Sequence, residues 1–180
     1  SIDQHKKWIE LAAELNCESV RVNLSGSEDQ EEWVKRSVDG LTGLAEFAKQ
    51  HYLNIIVENH GGFSSNAMLL AKVMKKTNLD NCGTLPDFGN FCIEGGYGTC
   101  AKWYDMYKGV AELMPYAKSV SAKTYNFDSD GNETKIDYNK MMKIVKDNSY
   151  KGFIGVEYEG HGLSEKDGIL ATKKLIKRFI

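Results

Sequence analysis

Five short runs rich in branched apolar residues recur along the chain, separated by stretches whose apolar residues follow a helical period. The runs begin near residues 19, 54, 82, 117 and 152, at intervals of 35, 28, 35 and 35 residues. Strands alternating with helices at this period predict a parallel sheet covered by helices, either a barrel or an open doubly wound sheet. In the first helical stretch Trp8, Leu11, Ala12 and Leu15 share a face, and Ser1 or Asp3 would cap it. Over 28–51 the inner stripe is Val34, Val38, Leu41, Ala45, Ala48 and Tyr52, and over 66–76 it is Ala67, Leu70, Ala71 and Met74. A Gly-rich loop at Gly95 to Gly98 leads into a helix expected over 101–114, where Trp103, Tyr104 and Tyr107 pack as core or helix-face aromatics. Asp137 caps a helix over 137–148 that buries Met141, Met142 and Val145. Ser164-Glu-Lys-Asp167 resembles a capping box, opening a last helix with Ile169, Leu170, Leu175, Ile176 and Phe179 as its apolar set.

Composition narrows the partners. Lys+Arg of 23 against Asp+Glu of 25 gives a net charge of −2, which supplies no footprint for a polyanion, so no nucleic-acid partner is expected. The apolar runs fall far short of the ~20 residues of a membrane span, and no membrane association is expected. No GxGxxG follows a strand, so a Rossmann-type cofactor loses support. Cys17, Cys82, Cys92 and Cys100 form no CxxC pair and are too sparse for a disulfide scaffold. Unpaired thiols in a reducing compartment are expected, with a cytoplasmic location unless a signal peptide lies upstream. Asp128-Ser-Asp-Gly-Asn-Glu133 is similar to the start of a calcium loop, but Asn139 stands where the twelfth-position Glu would be, so a polar turn is expected.

In parallel α/β sheets, ligands gather at the carboxyl ends of the strands. The first end carries Arg21 and Asn23, the second Glu58-Asn59-His60-Gly61-Gly62, the third Asp87-Phe-Gly-Asn90, the fourth Ser121-Ala-Lys123, and the fifth Glu157-Tyr-Glu159. A single strand-terminal acid is most often a cap or a solvated turn. Three at equivalent places in one sheet repel unless a cation or proton neutralises them. Glu58, Asp87 and Glu157 are therefore the candidate metal ligands, hard oxygen donors that suit Mg²⁺ or Mn²⁺. Lys123 faces them and is placed to hold a substrate oxyanion or to form an ion pair. Arg21, His60, Asn90 and His161 are the candidate substrate-binding residues around the same mouth.

At these residues the sequence resembles the xylose isomerase-like TIM-barrel superfamily, in its sugar phosphate isomerase/epimerase branch. The resemblance rests on Ser-Val-Arg-Val near Arg21, Val-Glu-Asn-His-Gly-Gly at 57–62, Pro-Asp-Phe-Gly-Asn at 86–90, Val-Ser-Ala-Lys at 120–123, and the segment from Tyr150 to Gly160. It implies an α/β fold, a (β/α)8 TIM barrel, of which about five βα units are present. A complete barrel takes roughly 250 residues, and the matching motifs belong to the family's last strands. Residues 1–180 are thus expected to be a single domain, the C-terminal portion of a barrel whose N-terminal strands are absent. Taken alone, its two edge strands would need a partner, a homo-oligomer among the candidates.

The resemblance further implies an enzyme, a sugar isomerase or epimerase that moves a proton next to a carbonyl through an enediolate, assisted by a divalent metal (Mg²⁺ or Mn²⁺, with Zn²⁺ as the alternative). Glu58, Asp87 and Glu157 look like three of the metal ligands, Glu58 and Glu157 act as base and acid, and Lys123 assists. The family's His or Gln ligand position falls on Ser121, and its Asp-x-x-His becomes Asp87-x-x-Asn90. Those departures keep two alternatives open: a non-catalytic or metal-free carbohydrate-binding descendant, and a keto-sugar dehydratase or lyase.

Overall fold

The computed structural model describes residues 2–95 and 98–180. Strands and helices alternate as α1 (Ile2–Glu14), β1 (Ser19–Val22), α2 (Gln30–Lys49), β2 (Asn54–Glu58), α3 (Ala67–Thr77) and β3 (Cys82–Leu85). A short hairpin of β4 (Cys92–Glu94) and β5 (Lys102–Trp103) interrupts the pattern before α4 (Met106–Leu113), β6 (Val120–Thr124), α5 (Tyr138–Asp147), β7 (Ile154–Tyr158) and α6 (Glu165–Ile176). β1 pairs with β2 and β2 with β3 in parallel, as β6 does with β7. Parallel bridges Thr84–Ala117 and Asp87–Ser121 join β3 to β6. The result is a curved run of five parallel strands ordered β1-β2-β3-β6-β7, with helices on its outer face.

Each helix after the first starts at a side chain that accepts from its first turn. Asp29, Asn66, Asp105, Asp137 and Ser164 cap α2 to α6 in order, each worth about 1 kcal/mol. Between helices and sheet lie Trp33, Leu41 and Ala45 of α2, Leu70 and Val73 of α3, Val110 and Leu113 of α4, and Met141 and Val145 of α5, packed on Ile55, Val57, Val120 and Ala122. The opposite face of the strands is left for the polar groups described below. The segment after β6 is fixed by Glu133, whose carboxylate accepts from the backbone N–H groups of Tyr125, Asn126, Lys135 and Ile136. Asp128 closes the expected polar turn by accepting from the N–H groups of Asp130 and Asn132.

Five expectations need correction. Cys92 and Cys100 are not free thiols but form a disulfide, while Cys17 and Cys82 remain unpaired. That staple holds β4 against β5, so the segment expected to be helical from 101 is a strand through Trp103 and turns helical only past the Asp105 cap. Trp103 is 62% exposed and is not a core aromatic. On α1 the buried residue is Ile9, whereas Trp8, Leu11 and Leu15 are exposed; on α6, Leu175 and Ile176 are buried but Ile169 and Leu170 are exposed. These two helices cover β1 and β7, which pair on one side only among the described residues, so their outer apolar faces have no neighbouring unit to pack on. Tyr52 is 95% exposed because the chain leaves α2 there with a positive φ. The Ser1 cap and two residues of the Gly-rich loop, Gly96 and Tyr97, lie outside the described residues.

Alkylation of the native protein without reductant, followed by peptide mapping, is expected to label exposed Cys17 and spare buried Cys82. Label on Cys92 or Cys100 would contradict the disulfide.

Candidate functional site

Side chains alternate along a strand, so residues two apart share a face. Ser121 and Lys123 on β6 share one, as do Glu157 and Glu159 at the end of β7, and the register sets Lys123 beside Glu157 and Asp87 beside Ser121. Glu58 ends β2 on the same rim. The parallel strands thus bring one carboxylate oxygen from each of Glu58, Asp87 and Glu157 within 4.8 Å of one another.

Each carboxylate has its own holders. Buried Glu58 is ion-paired with the Arg21 guanidinium and accepts from Asn90 Nδ2 at 3.1 Å. Asp87, with no exposed surface, uses Oδ1 to accept from the N–H groups of Gly89 at 2.9 Å and Asn90 at 2.8 Å. Its other oxygen, Oδ2, is buried without a hydrogen-bond partner among the described residues. Glu157 accepts from the Ser121 hydroxyl at 2.6 Å. Lys123 is fully buried, with its Nζ 2.9 Å from Asn90 Oδ1, 3.0 Å from Glu159, 3.5 Å from Glu157 and 3.8 Å from Asp87. Its stem passes Gly89, where a Cβ would meet Lys123 Cδ and the Tyr125 hydroxyl, so residue 89 must be small.

Charge governs this cluster. Burial pushes the Asp87 carboxyl up to about 7, against the pull of Lys123 and with the push of Glu157. Burial acts the same way on Glu157, but the Ser121 hydroxyl and the Lys123 ammonium outweigh it and hold that carboxyl below the usual range. Burial opposes the charge on Lys123, yet Asp87, Glu157 and Glu159 outweigh it and raise its pKa above the ordinary value. Counted as ionised, four carboxylates face Arg21 and Lys123, leaving an excess of negative charge equal to one divalent cation. Asp87 Oδ2, without a hydrogen-bond partner among the described residues and beside two further carboxylates, offers hard oxygen donors of the kind a divalent ion takes together with water. Glu58, Asp87 and Glu157 therefore fit such an ion.

Of the sequence-derived candidates, the structure brings Arg21, Glu58, Asp87, Asn90, Ser121, Lys123 and Glu157 into one network. His60 and His161 are exposed on the adjoining loops and lie outside the carboxylate cluster. Sequence reasoning places two further members at the strand ends without giving them a role. Glu159 supplies the shortest ion pair to Lys123. Buried Asn59 accepts from the Asp87 N–H at 2.8 Å and donates to the carbonyls of Asp87 and Asn90, clamping the end of β2 to the turn after β3. The signal for Glu159 was its two-residue spacing from Glu157, which puts both on one face.

Comparisons with known proteins agree with this architecture. The family described as xylose isomerase-like TIM barrel matches residues 1–179. A curated relative, the C-glycoside deglycosidase alpha subunit of Arthrobacter globiformis, is 35% identical over 75 residues, which is 38% of this chain and 21% of that protein. Among solved structures, the IOLI protein with a bound zinc atom superposes with a TM-score of 0.71 at 17% identity, covering 99% of this chain and 70% of that one. A D-tagatose 3-epimerase-like protein gives 0.73 at 20% identity, covering 99% and 67%. The chain thus spans about a fifth of the curated relative and about two thirds of these solved chains.

Replacing Lys123 by Met is expected to lower stability by about 3–5 kcal/mol in urea denaturation, because Asp87 is left buried without its cation. A loss under about 1 kcal/mol would show that Lys123 does not balance the cluster.

Proposed function

Since the chain belongs to the xylose isomerase-like TIM barrel family, we propose that it is the C-terminal part of a sugar isomerase or epimerase that shifts a proton next to a carbonyl. The preceding strand–helix units would complete the barrel by pairing with β1 and β7 and covering the exposed faces of α1 and α6. The single observation that carries the catalytic half is the converging of Glu58, Asp87 and Glu157 at the strand ends, with Asp87 Oδ2 lacking a hydrogen-bond partner among the described residues. A D-tagatose 3-epimerase-like protein among the structural relatives supports a ketose or keto-sugar as the substrate class.

Glu58, Asp87 and Glu157 would hold a divalent ion, and the bound zinc of one structural relative supports a metal in a protein of this fold. When bound, such an ion polarises the carbonyl and hydroxyl oxygens of the substrate and lowers the cost of the enediolate. The protein's own residues do the rest. A Glu157 oxygen, partly open to the mouth, takes the proton from the carbon beside the carbonyl and later releases it to solvent, while Glu58, carrying a proton taken up from solvent with the substrate, returns one from the other side, each step worth roughly 10²- to 10⁴-fold. Lys123 fixes Glu157 and Glu159, and Arg21 fixes Glu58, so neither base has to be ordered when substrate arrives. His60 and His161, exposed beside the mouth, would meet the sugar hydroxyls.

The 35% identity to a C-glycoside deglycosidase subunit favours a second outcome of the same proton removal. From an enediolate, expulsion of a group at the next carbon gives a lyase product instead of an epimer.

Incubation in deuterated solvent with ketoses and 3-keto-glycosides is expected to put deuterium beside the carbonyl. The signal should vanish in Glu157→Gln, fall on chelation, and return with Mn²⁺. Exchange that survives a chelator contradicts the metal, and exchange by residues 1–180 alone contradicts the need for the preceding units. Product analysis separates epimer from lyase product.

A further inference from the structure

Ser121 and Asn90 each hydrogen-bond one of the three clustered carboxylates, and those bonds show which group they serve. Ser121 spends its single proton on Glu157 Oε2 at 2.6 Å, the short range of a bond to an ionised acceptor. Asn90 Nδ2 donates to Glu58 Oε1, while Asn90 Oδ1 accepts from Lys123 at 2.9 Å. An ammonium only donates, so the atom facing Lys123 must be the amide oxygen, and the amide cannot be turned round without breaking both bonds. The oxygen that Asn90 would need for a metal is therefore committed to Lys123.

The backbone holds both residues in these positions. Ser121 receives its register from β3, its N–H donating to Pro86 O and its carbonyl accepting from the Phe88 N–H. The Asn90 carbonyl accepts from Asn59 Nδ2 and from the Ser65 hydroxyl. Neither side chain can swing toward a ligand without leaving its carboxylate short of a donor, buried Glu58 for Asn90 and half-buried Glu157 for Ser121. The arrangement is paired: each of the two glutamates has one charged holder, Arg21 or Lys123, and one neutral donor, Asn90 or Ser121.

We infer that Ser121 and Asn90 are positioning residues, one for each carboxylate that moves the proton, and that the cation is held on the carboxylates of Glu58, Asp87 and Glu157 without them. This rests on the proton transfer proposed above and adds which residues orient it. An all-carboxylate set, with no imidazole in the cluster, selects a hard ion such as Mn²⁺ or Mg²⁺.

The test is a crystal of the protein soaked in manganese chloride, with anomalous scattering to locate the ion, and Mn²⁺ titration of Ser121→Ala, Ser121→Thr and Asn90→Ala. Manganese is expected about 2.1–2.3 Å from oxygens of the three carboxylates, with the Ser121 hydroxyl still on Glu157. Affinity should fall roughly 10- to 100-fold in the two alanine variants and recover in Ser121→Thr, which keeps the hydroxyl. Manganese bonded directly to Ser121 Oγ or Asn90 Oδ1 overturns the inference and leaves the proposed function standing. Unchanged affinity in both alanine variants also overturns it. A map without manganese at the carboxylates removes the metal from the proposed function, and this inference with it.

Discussion

Gathering four carboxylates at one end of a parallel sheet raises the energy of the folded chain, and the buried ammonium of Lys123 offsets much of that rise. It lies within 4 Å of Asp87, Glu157 and Glu159 and has no exposed surface, so solvent does little to screen it. The rest of the site is arranged to let it stay there. Gly89 leaves room for its stem, Asn90 accepts one of its protons, and the Tyr138 hydroxyl holds its backbone carbonyl at 2.9 Å. A cation between Glu58, Asp87 and Glu157 would complete the balance that Lys123 and Arg21 leave unfinished.

Three polar side chains connect this chemistry to the fold. Asn59 ties the end of β2 to the turn after β3, which fixes the separation of Glu58 and Asp87. Glu133 gathers four backbone N–H groups and thereby anchors the segment beyond Lys123. Thr124 bonds the Glu157 carbonyl and the Thr172 hydroxyl, linking β6, β7 and α6. Buried polar groups satisfied in this way specify one arrangement, because any shift strands a donor or acceptor away from water.

Much of this was legible in the sequence because strands and helices carry different periods. The interval of about 35 residues marks the strand ends, and parallel geometry alone puts Glu58, Asp87, Lys123 and Glu157 on one rim. Caps at Asp137 and Ser164 were equally readable, since a short polar side chain before an apolar run has few other uses. What escaped notice depended on contacts between distant segments. Asn59 looks like a loop residue until Asp87 is placed beside it. Cys92 and Cys100, eight positions apart, match no recognisable spacing motif, and only the hairpin brings them together. Trp103, Tyr104 and Tyr107 fit a helical period, but Asp105 caps the helix two residues beyond Trp103 and leaves that residue in a strand. On α1 and α6 the apolar periodicity was real, yet the outer part of each stripe faces outward at an open edge of the sheet.

One cation site on the carboxylates of Glu58, Asp87 and Glu157 is the proposal on which the chemistry rests. It is tested most directly by metal analysis of the purified protein together with Mn²⁺ titration of the metal-stripped form, beside an Asp87→Asn variant. A single equivalent of a divalent metal, bound by the native protein and lost in the variant, is the predicted result. A native protein that neither retains nor binds a divalent metal, or a variant that binds it as tightly, would contradict the account.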